Sequence, residues 1–275
     1  MSRRAKLLEG RVVAVTGAAK GIGAATAAAF AAAGARVALG DIDIETAHRT
    51  AAEIGDRASA FGLDVSDASS FESFLDAVES ELGPLDVLVN NAGIIAPGEF
   101  LSESDDVTRK QLDVNVYGVI VGSKLAGRRF AAVNGGHIVN IASTFGVTAA
   151  PGLATYAATK HAIVGLSEAL QQELSPLGVR VTAVLPGPVR TESEIRSGSL
   201  VRKIVKVEPA QVADAIVEAV ADQSSGPIFV PGPFGPVLRG AHLLPRSLRE
   251  GAFRFMTWSG VTGPDVPVES VHESR

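Results

Sequence analysis

Short apolar, β-branched runs alternate along the chain with longer segments whose apolar residues recur every three or four positions. Arg11–Thr16 (RVVAVT) is the first run. Gly21–Ala33 follows with a helical composition, and Gly34 stops it. Arg36–Gly40 predicts a second strand, Asp43–Ile54 a helix closed by Gly55, and Ala58–Leu63 a third strand. In Asp67–Leu82 the residues Phe71, Phe74, Leu75 and Val78 share one helical face. Leu85–Val89 is a strand, and Ser104–Val133 reads as mostly helical, with Gly118 and Gly122 as tolerated interruptions. The pattern continues with strand Gly136–Ile141, helix Thr155–Leu174, strand Val179–Leu185, helix Pro209–Ala221 and strand Gly226–Val230.

Seven near-continuous apolar strands alternating with helices imply an α/β fold, a doubly wound parallel sheet covered on both faces. No composition shift interrupts residues 1–230, which are expected to form one domain. Residues 231–275 differ: they open PGPFGP, carry LLPRSLREGAFRFMTW and end polar, and are expected to form a C-terminal extension. The last dozen residues are expected to be mobile.

Composition narrows the function classes. The chain has 275 residues, 46% apolar and 20% charged, which excludes a mostly disordered polymer. It has no cysteine, so disulfides, Cys-ligated zinc and thiol nucleophiles are excluded. The net charge of −5 and the lack of a basic block argue against a nucleic-acid partner. No apolar run is long enough to span a bilayer, and no signal-peptide core follows the basic start, so a cytoplasmic protein is expected. The five histidines form no H-E-x-x-H motif, and no G-x-S-x-G elbow follows a strand, so metal and serine-hydrolase chemistry are not supported.

Glycine is abundant, at 29 residues, and Gly17, Gly21 and Gly23 cluster between the first strand and first helix. There, Thr16-Gly17-Ala18-Ala19-Lys20-Gly21-Ile22-Gly23 permits close approach of backbone to a pyrophosphate, which the helix N-terminus stabilises. The spacing is G-x-x-x-G-x-G, and no G-K-[ST] follows. Asp41 ends the second strand, 24 residues after Gly17. Its carboxylate can accept from both adenosine ribose hydroxyls and would repel a 2′-phosphate, favouring NAD over NADP. Lys20 could partly offset that repulsion, and capping of the next helix is the structural alternative for Asp41.

Together with Asp64-Val65, Asn90-Asn91-Ala92-Gly93, Asn115, Ser143, Tyr156 with Lys160, and Pro186-Gly187 before Thr191, this turn makes residues 9–230 resemble the short-chain dehydrogenase/reductase family. The resemblance implies a single-domain Rossmann fold with strand order 3-2-1-4-5-6-7 and a dimer or tetramer. It implies that Asp64 and Val65 lie against the adenine. It places Asn90, Asn91, Ala92 and Gly93 around the adenosine ribose and central strands, and Ile141 at the cofactor. Pro186, Gly187, Val189 and Thr191 would flank the nicotinamide carboxamide. The family commonly carries Asp-Gly-Gly after the last strand, where this chain has Val230-Pro231-Gly232-Pro233, which leaves the choice of dimer or tetramer open.

Tyr156 and Lys160 are four apart, so a helix puts them on one face. A neighbouring ammonium is expected to lower the phenol pKa by roughly 1–3 units, towards the range useful for proton transfer. Ser143 lies just past the GHIVNI strand, where its hydroxyl could hold a substrate oxygen. By resemblance Ser143, Tyr156 and Lys160 are catalytic, and Asn115 holds a water linking Lys160 to solvent. The expected activity is NAD(H)-dependent interconversion of an alcohol and a carbonyl compound. The alternatives are a member with epimerase-like chemistry and a non-catalytic nucleotide-binding scaffold.

A lipophilic small-molecule substrate is suggested by apolar residues in three segments: Ile94, Ile95, Pro97 and Phe100; Phe145, Val147 and Leu153; and Val189, Ile195 and Leu200. Core packing explains the same residues equally well. The long helices Ser104–Val133 and Thr155–Leu174 are the expected subunit contacts. His242–Trp258 is expected to pack over the substrate mouth or a partner subunit, with an anionic membrane surface as the alternative.

Overall fold

A computed structural model describes residues 8–189, 207–233 and 235. Seven strands form one parallel sheet: β1 Val12–Thr16, β2 Arg36–Asp41, β3 Ala58–Gly62, β4 Val87–Asn90, β5 Gly136–Ile141, β6 Val179–Pro186 and β7 Gly226–Val230. Their order is β3-β2-β1-β4-β5-β6-β7, the order the family resemblance implies. The order reverses between β1 and β4, so connections leave in opposite directions and open a crevice at the carboxyl ends of those strands.

Both sheet faces are buried because successive residues of each strand point opposite ways. In β1, Val13 and Val15 join the core under α1 (Gly21–Ala32), α2 (Ile44–Ile54) and α7 (Pro209–Ala221), while Val12 and Ala14 join the opposite core. That second core lies under α3 (Ala68–Leu82), α5 (Gly118–Ala132) and α6 (Ala154–Leu174), and Phe71, Phe74 and Phe130 fill it; α4 (Asp105–Leu112) adds no residue to it. No helix among the described residues is long and apolar enough to cross a membrane.

Two helix boundaries follow from side-chain chemistry. Asp43 accepts from Thr46 N at 3.1 Å and caps α2, and Asp67 accepts from Ser69 N at 2.8 Å and caps α3. Ser104–Val133 is a single helical run, but a π-helical turn over Asp113–Tyr117 joins α4 to α5. Gly118 and Gly122 are requirements rather than tolerated interruptions. A Cβ on Gly118 would lie 2.9 Å from Val65 O, and one on Gly122 would lie 2.8 Å from Phe71 Cε2. Without side chains there, α5 packs directly onto the sheet's loop edge and α3.

Asn90, Asn140, Ser123 and Ser167 form a buried polar ladder at the centre. Asn90 Nδ2 donates to Asn140 Oδ1 at 2.9 Å and to Ser123 Oγ at 3.2 Å, and Asn140 Nδ2 donates to Ser167 Oγ at 3.0 Å. The ladder fastens α5 and α6 to β4 and β5. Asn90 thus supports the central strands.

At the opposite, amino end of β5, buried His137 meets Thr182 Oγ1 through Nε2 at 2.8 Å. Thr182 spends its own proton on Ser224 O, so it accepts from a Nε2-protonated imidazole. Burial, aided by the Arg180 charge, pushes the His137 pKa down from 6.5 to about 4. A base depressed on folding binds its proton more readily when unfolded. Stability is therefore complete above pH 6.5 and falls as pH drops towards 4, by roughly 3 kcal/mol from this group. Denaturant titrations from pH 7 to pH 4 check this: His137→Asn should lose this limb of the pH dependence and keep the part due to carboxylates.

Candidate active site

The carboxyl ends of β1, β4 and β5 and the first turns of α6 converge at the crevice. β1 ends at Thr16, whose Oγ1 accepts from the main-chain N–H groups of Asn91 and Ala92, each at 3.0 Å. Asn91 reciprocates through Nδ2, donating to Thr16 O at 2.8 Å and Gly17 O at 2.9 Å. The two turns at the switch point are thus laced together. Gly17 has φ +63°, and a Cβ there would stand 2.7 Å from Ala92 Cα. Gly23 is equally constrained, since its Cβ would lie 2.6 Å from Asn91 Nδ2. Gly17 and Gly23 thus let this turn pack against Asn91 and Ala92, whereas a Cβ on Gly21 would meet nothing within 4 Å. No side chain caps α1, whose first turn contains Gly21, Ile22 and Gly23, so its N–H groups are available to an anion.

Asp41, at the end of β2, accepts from Ala19 N at 2.8 Å and from Asp43 N at 3.0 Å. Its carboxylate therefore sits against the glycine turn, and the cap of α2 is Asp43. Lys20 directs its ammonium to Asp43, 3.5 Å away, and is well exposed. Asp64 accepts from Ser66 N and Oγ, and with Ile42, Ser66, Asp113 and Val114 it lines a cavity of about 240 Å3. Val65 turns its side chain into the core behind this cavity.

Ser143 begins the segment after β5. Its Oγ accepts from Phe145 N at 3.1 Å, and its hydroxyl is close enough to the Tyr156 phenol to favour the phenolate. Phe145 packs edge-on against the Tyr156 ring, with centroids 6.3 Å apart. Lys160, one helical turn after Tyr156, is buried with Nζ 5.7 Å from that ring's centroid and donating to Ile141 O at 2.9 Å. Ile141 therefore meets the site through its carbonyl, while its side chain belongs to the core.

The direction of the Tyr156 shift corrects the expectation from spacing. Burial holds the phenol above its ordinary value, and the hydrogen bond from Ser143 opposes this with a smaller effect. The ammonium expected to lower it is itself weakened, because burial pushes Lys160 down to about 8. Desolvation outweighs proximity for both groups.

Asn115 lies within the π-helical turn and is fully buried. Its Oδ1 accepts from Ile94 N at 2.8 Å, and its Nδ2 donates to Ile94 O at 2.8 Å and to Thr159 Oγ1 at 3.2 Å. Both N–H bonds are engaged, so the side chain first of all clamps the loop after Gly93; only Oδ1 lone-pair capacity is left for a water. A Cβ on Gly93 would be 3.3 Å from Asn115 Oδ1 and 3.5 Å from Lys160 Nζ. That glycine gives the Asn115 amide room.

Pro186 ends β6, and Gly187 follows it, its N donating to Val230 O at 2.8 Å. Val189 bridges to Val207 and packs on the core, Leu153 is buried, and half-buried Val147 packs against the core. Ile95 and Phe100 are exposed. Thr191, Ile195, Leu200 and His242–Trp258 lie outside the described residues. Among the described residues no His/Cys/Asp/Glu group could hold a metal ion. Sequence reasoning missed Thr159, which ties Asn115 to Tyr156 O, and Glu103, which accepts from Thr155 at 2.7 Å. Neither carries a sequence signal, since their partners are set by the tertiary fold.

Comparison with known proteins identifies the family. Residues 11–199 match the family model described as short chain dehydrogenase. The chain is 38% identical to a D-threitol dehydrogenase of Mycolicibacterium smegmatis, over 79% of this chain and 88% of that protein. It is also 38% identical to the probable oxidoreductase EphD of Mycobacterium tuberculosis, over 88% of this chain but only 44% of that longer protein. The crystal structure of 3-ketoacyl-(acyl-carrier-protein) reductase from Brucella melitensis complexed with NADH superposes with a TM-score of 0.75 at 31% identity, covering 81% of this chain and 98% of that one. The chain belongs to the short-chain dehydrogenase family of oxidoreductases.

Proposed function

We propose that this chain is an NAD(H)-dependent oxidoreductase that interconverts a secondary alcohol and its ketone. The observation that carries the reading is the grouping of Ser143 and Tyr156 over a buried Lys160, beside the uncapped N-terminus of α1. The relatives support it: one is named for oxidising a polyol, and one structure of a ketoacyl reductase holds NADH.

The residues present fit a nicotinamide dinucleotide. Gly17, Lys20, Gly21, Ile22 and Gly23 would take the pyrophosphate, and Asp41 the adenosine ribose. Asp64 and Val65, with the neighbouring cavity, would take the adenine. Asn91, Ala92 and Gly93, the Ile141 edge, and Pro186, Gly187, Val189 and Thr191 would surround the remainder. When bound, the nicotinamide supplies or accepts the hydride. Asp43 draws the Lys20 charge away from Asp41, which leaves the Asp41 carboxylate to disfavour a 2′-phosphate.

In reduction, Tyr156 donates its proton to the carbonyl oxygen, and the neutral phenol that burial favours is the form needed. Ser143 donates a hydrogen bond to the same oxygen and stabilises the charge that develops on it. In oxidation, Tyr156 must first lose its proton; the Ser143 hydroxyl and the Lys160 ammonium stabilise the phenolate. Lys160 would also bind the ribose beside the nicotinamide. Asn115 positions the Gly93–Ile94 turn and keeps the space next to Lys160 open.

The long helices α4–α5 and α6 are proposed as the subunit contact of a dimer or tetramer, and the exposed Leu112 and Tyr117 on the first of them support this. Residues 231–275 are proposed as a C-terminal extension to the domain of residues 1–230, near the substrate mouth or a subunit interface.

Tyr156→Phe should keep NADH affinity and lower turnover by roughly 100-fold or more, because it removes only the ionisable hydroxyl. Assays of alcohols with NAD+ and ketones with NADH check this, and undiminished turnover would sink the mechanism. Fluorescence titration should show NADH binding at least roughly tenfold tighter than NADPH, with Asp41→Ala narrowing the gap. Sedimentation at micromolar concentration should show a dimer or tetramer; a monomer alone would remove the helix contact.

A further inference from the structure

The first turn of α6, which carries Tyr156, has no acidic residue of its own. A carboxylate from elsewhere takes that place. Glu103 lies 52 residues before Thr155 and just ahead of Ser104, the cap of α4. Its Oε1 accepts from Thr155 Oγ1 at 2.7 Å and from Thr108 Oγ1 at 2.5 Å, and its Oε2 accepts from Gln111 Nε2 at 3.3 Å. Gln111 is fully buried, and its Oε1 accepts from Ala96 N at 3.4 Å, in the loop after Gly93. One half-buried carboxylate thus joins three elements: the residue next to Tyr156, the start of α4, and, through Gln111, the loop expected to face substrate.

We infer that Glu103 is a positioning residue for Tyr156, acting through Thr155 to hold the phenol in line with Ser143 and Lys160. Three observations carry this. Glu103 accepts three hydrogen bonds from two helices, and charge-assisted bonds of this kind are stronger than neutral ones. Its negative charge lies at the N-terminal ends of both α4 and α6, where a helix favours an anion. Thr155 is buried and spends its hydroxyl on this contact, and its peptide unit leads directly into Tyr156. The role rests on Tyr156 being the proton-transfer group proposed above.

The alignment has an electrostatic consequence. The phenolate of Tyr156 is stabilised only by neighbours in register with it. These are the Ser143 hydroxyl after β5, and Lys160 one turn further along α6. On the α4 side the ionisable group that meets the start of α6 is Glu103, through Thr155; its charge would disfavour phenolate while its tether favours it. Substitutions can separate the two effects. Thr155→Val removes the tether and keeps the charge, Glu103→Gln removes the charge and keeps an acceptor for Thr155, and Glu103→Ala removes both.

The chain contains only two tyrosines, Tyr117 and Tyr156, so tyrosine Cζ labelling gives two carbon resonances, and Tyr117→Phe assigns them. The experiment is a pH titration of Tyr156 in the full chain with NAD+ bound. Thr155→Val should raise the Tyr156 pKa by about one unit, a tenfold loss of phenolate at a given pH. Glu103→Gln should leave it unchanged or lower it, and Glu103→Ala should titrate above Glu103→Gln by about the same unit. NADH affinity should be unchanged in all three. A parent-like or lowered pKa in Thr155→Val, or coincident titrations of Glu103→Ala and Glu103→Gln, would overturn the tether. The readout needs no turnover: a chain that binds NAD+ but reduces nothing refutes the proposed activity, while the tether stands or falls on the titration alone.

Discussion

Burying the Lys160 ammonium is the constraint around which the site is organised. An isolated buried cation costs several kcal/mol, so its surroundings must offer acceptors and room. Ile141 O, at the end of β5, supplies the direct acceptor, and the face of the Tyr156 ring lies over the charge. Gly93 lies next to it, a Cβ there standing in ordinary contact at 3.5 Å from the ammonium. These partial compensations leave the amine easier to deprotonate than a surface lysine, at about 8. A group near that value exchanges protons within the ordinary range of pH, which a fully compensated ion pair would not do.

A site of this kind works only if its parts are fixed to one another, and two buried networks do the fixing. The Asn90–Asn140–Ser123–Ser167 ladder ties α5 and α6 to the central strands. Asn115 ties the π-helical turn to Ile94 and, through Thr159, to the main chain of Tyr156. Each member found inside is hydrogen-bonded, and a satisfied buried network favours one arrangement over its neighbours. The glycines serve the same end by a different route. Gly118 and Gly122 let α5 approach closely enough for its side of the ladder to form.

The sheet was legible because each strand is a nearly unbroken apolar run ended by glycine or a turn residue, as in RVVAVT and GHIVNI. The glycine turn and the Tyr156–Lys160 pair were legible because their spacing is local. What was not legible depends on distances between segments remote in sequence. The π-helical turn at Asn115 keeps a helical composition on both sides, so its extra residue leaves no trace in periodicity. The reading of Gly118 and Gly122 failed for the same reason, since Val65 and Phe71 are distant in the chain. Val147, Leu153 and Val189 show the ambiguity of apolar residues near a cleft: all three serve the core. The upward shift of Tyr156 was missed because a charge four residues away is visible in sequence and desolvation is not.

The two ends of β5 show why burial alone does not make a catalytic group. His137 and Lys160 are both buried bases, and burial weakens both. His137 sits against Thr182, whose proton is already committed to Ser224 O, so the chain ends in a main-chain carbonyl with no proton to exchange. The result is a structural clamp that registers pH only through stability. Lys160 sits under a phenol that has its own proton to give and has the Ser143 hydroxyl beside it. The same desolvation that makes His137 inert leaves Lys160 and Tyr156 sensitive to each other's protonation and to any charge placed beside them. Function at this edge of the sheet thus follows from the exchangeable partner and the open crevice.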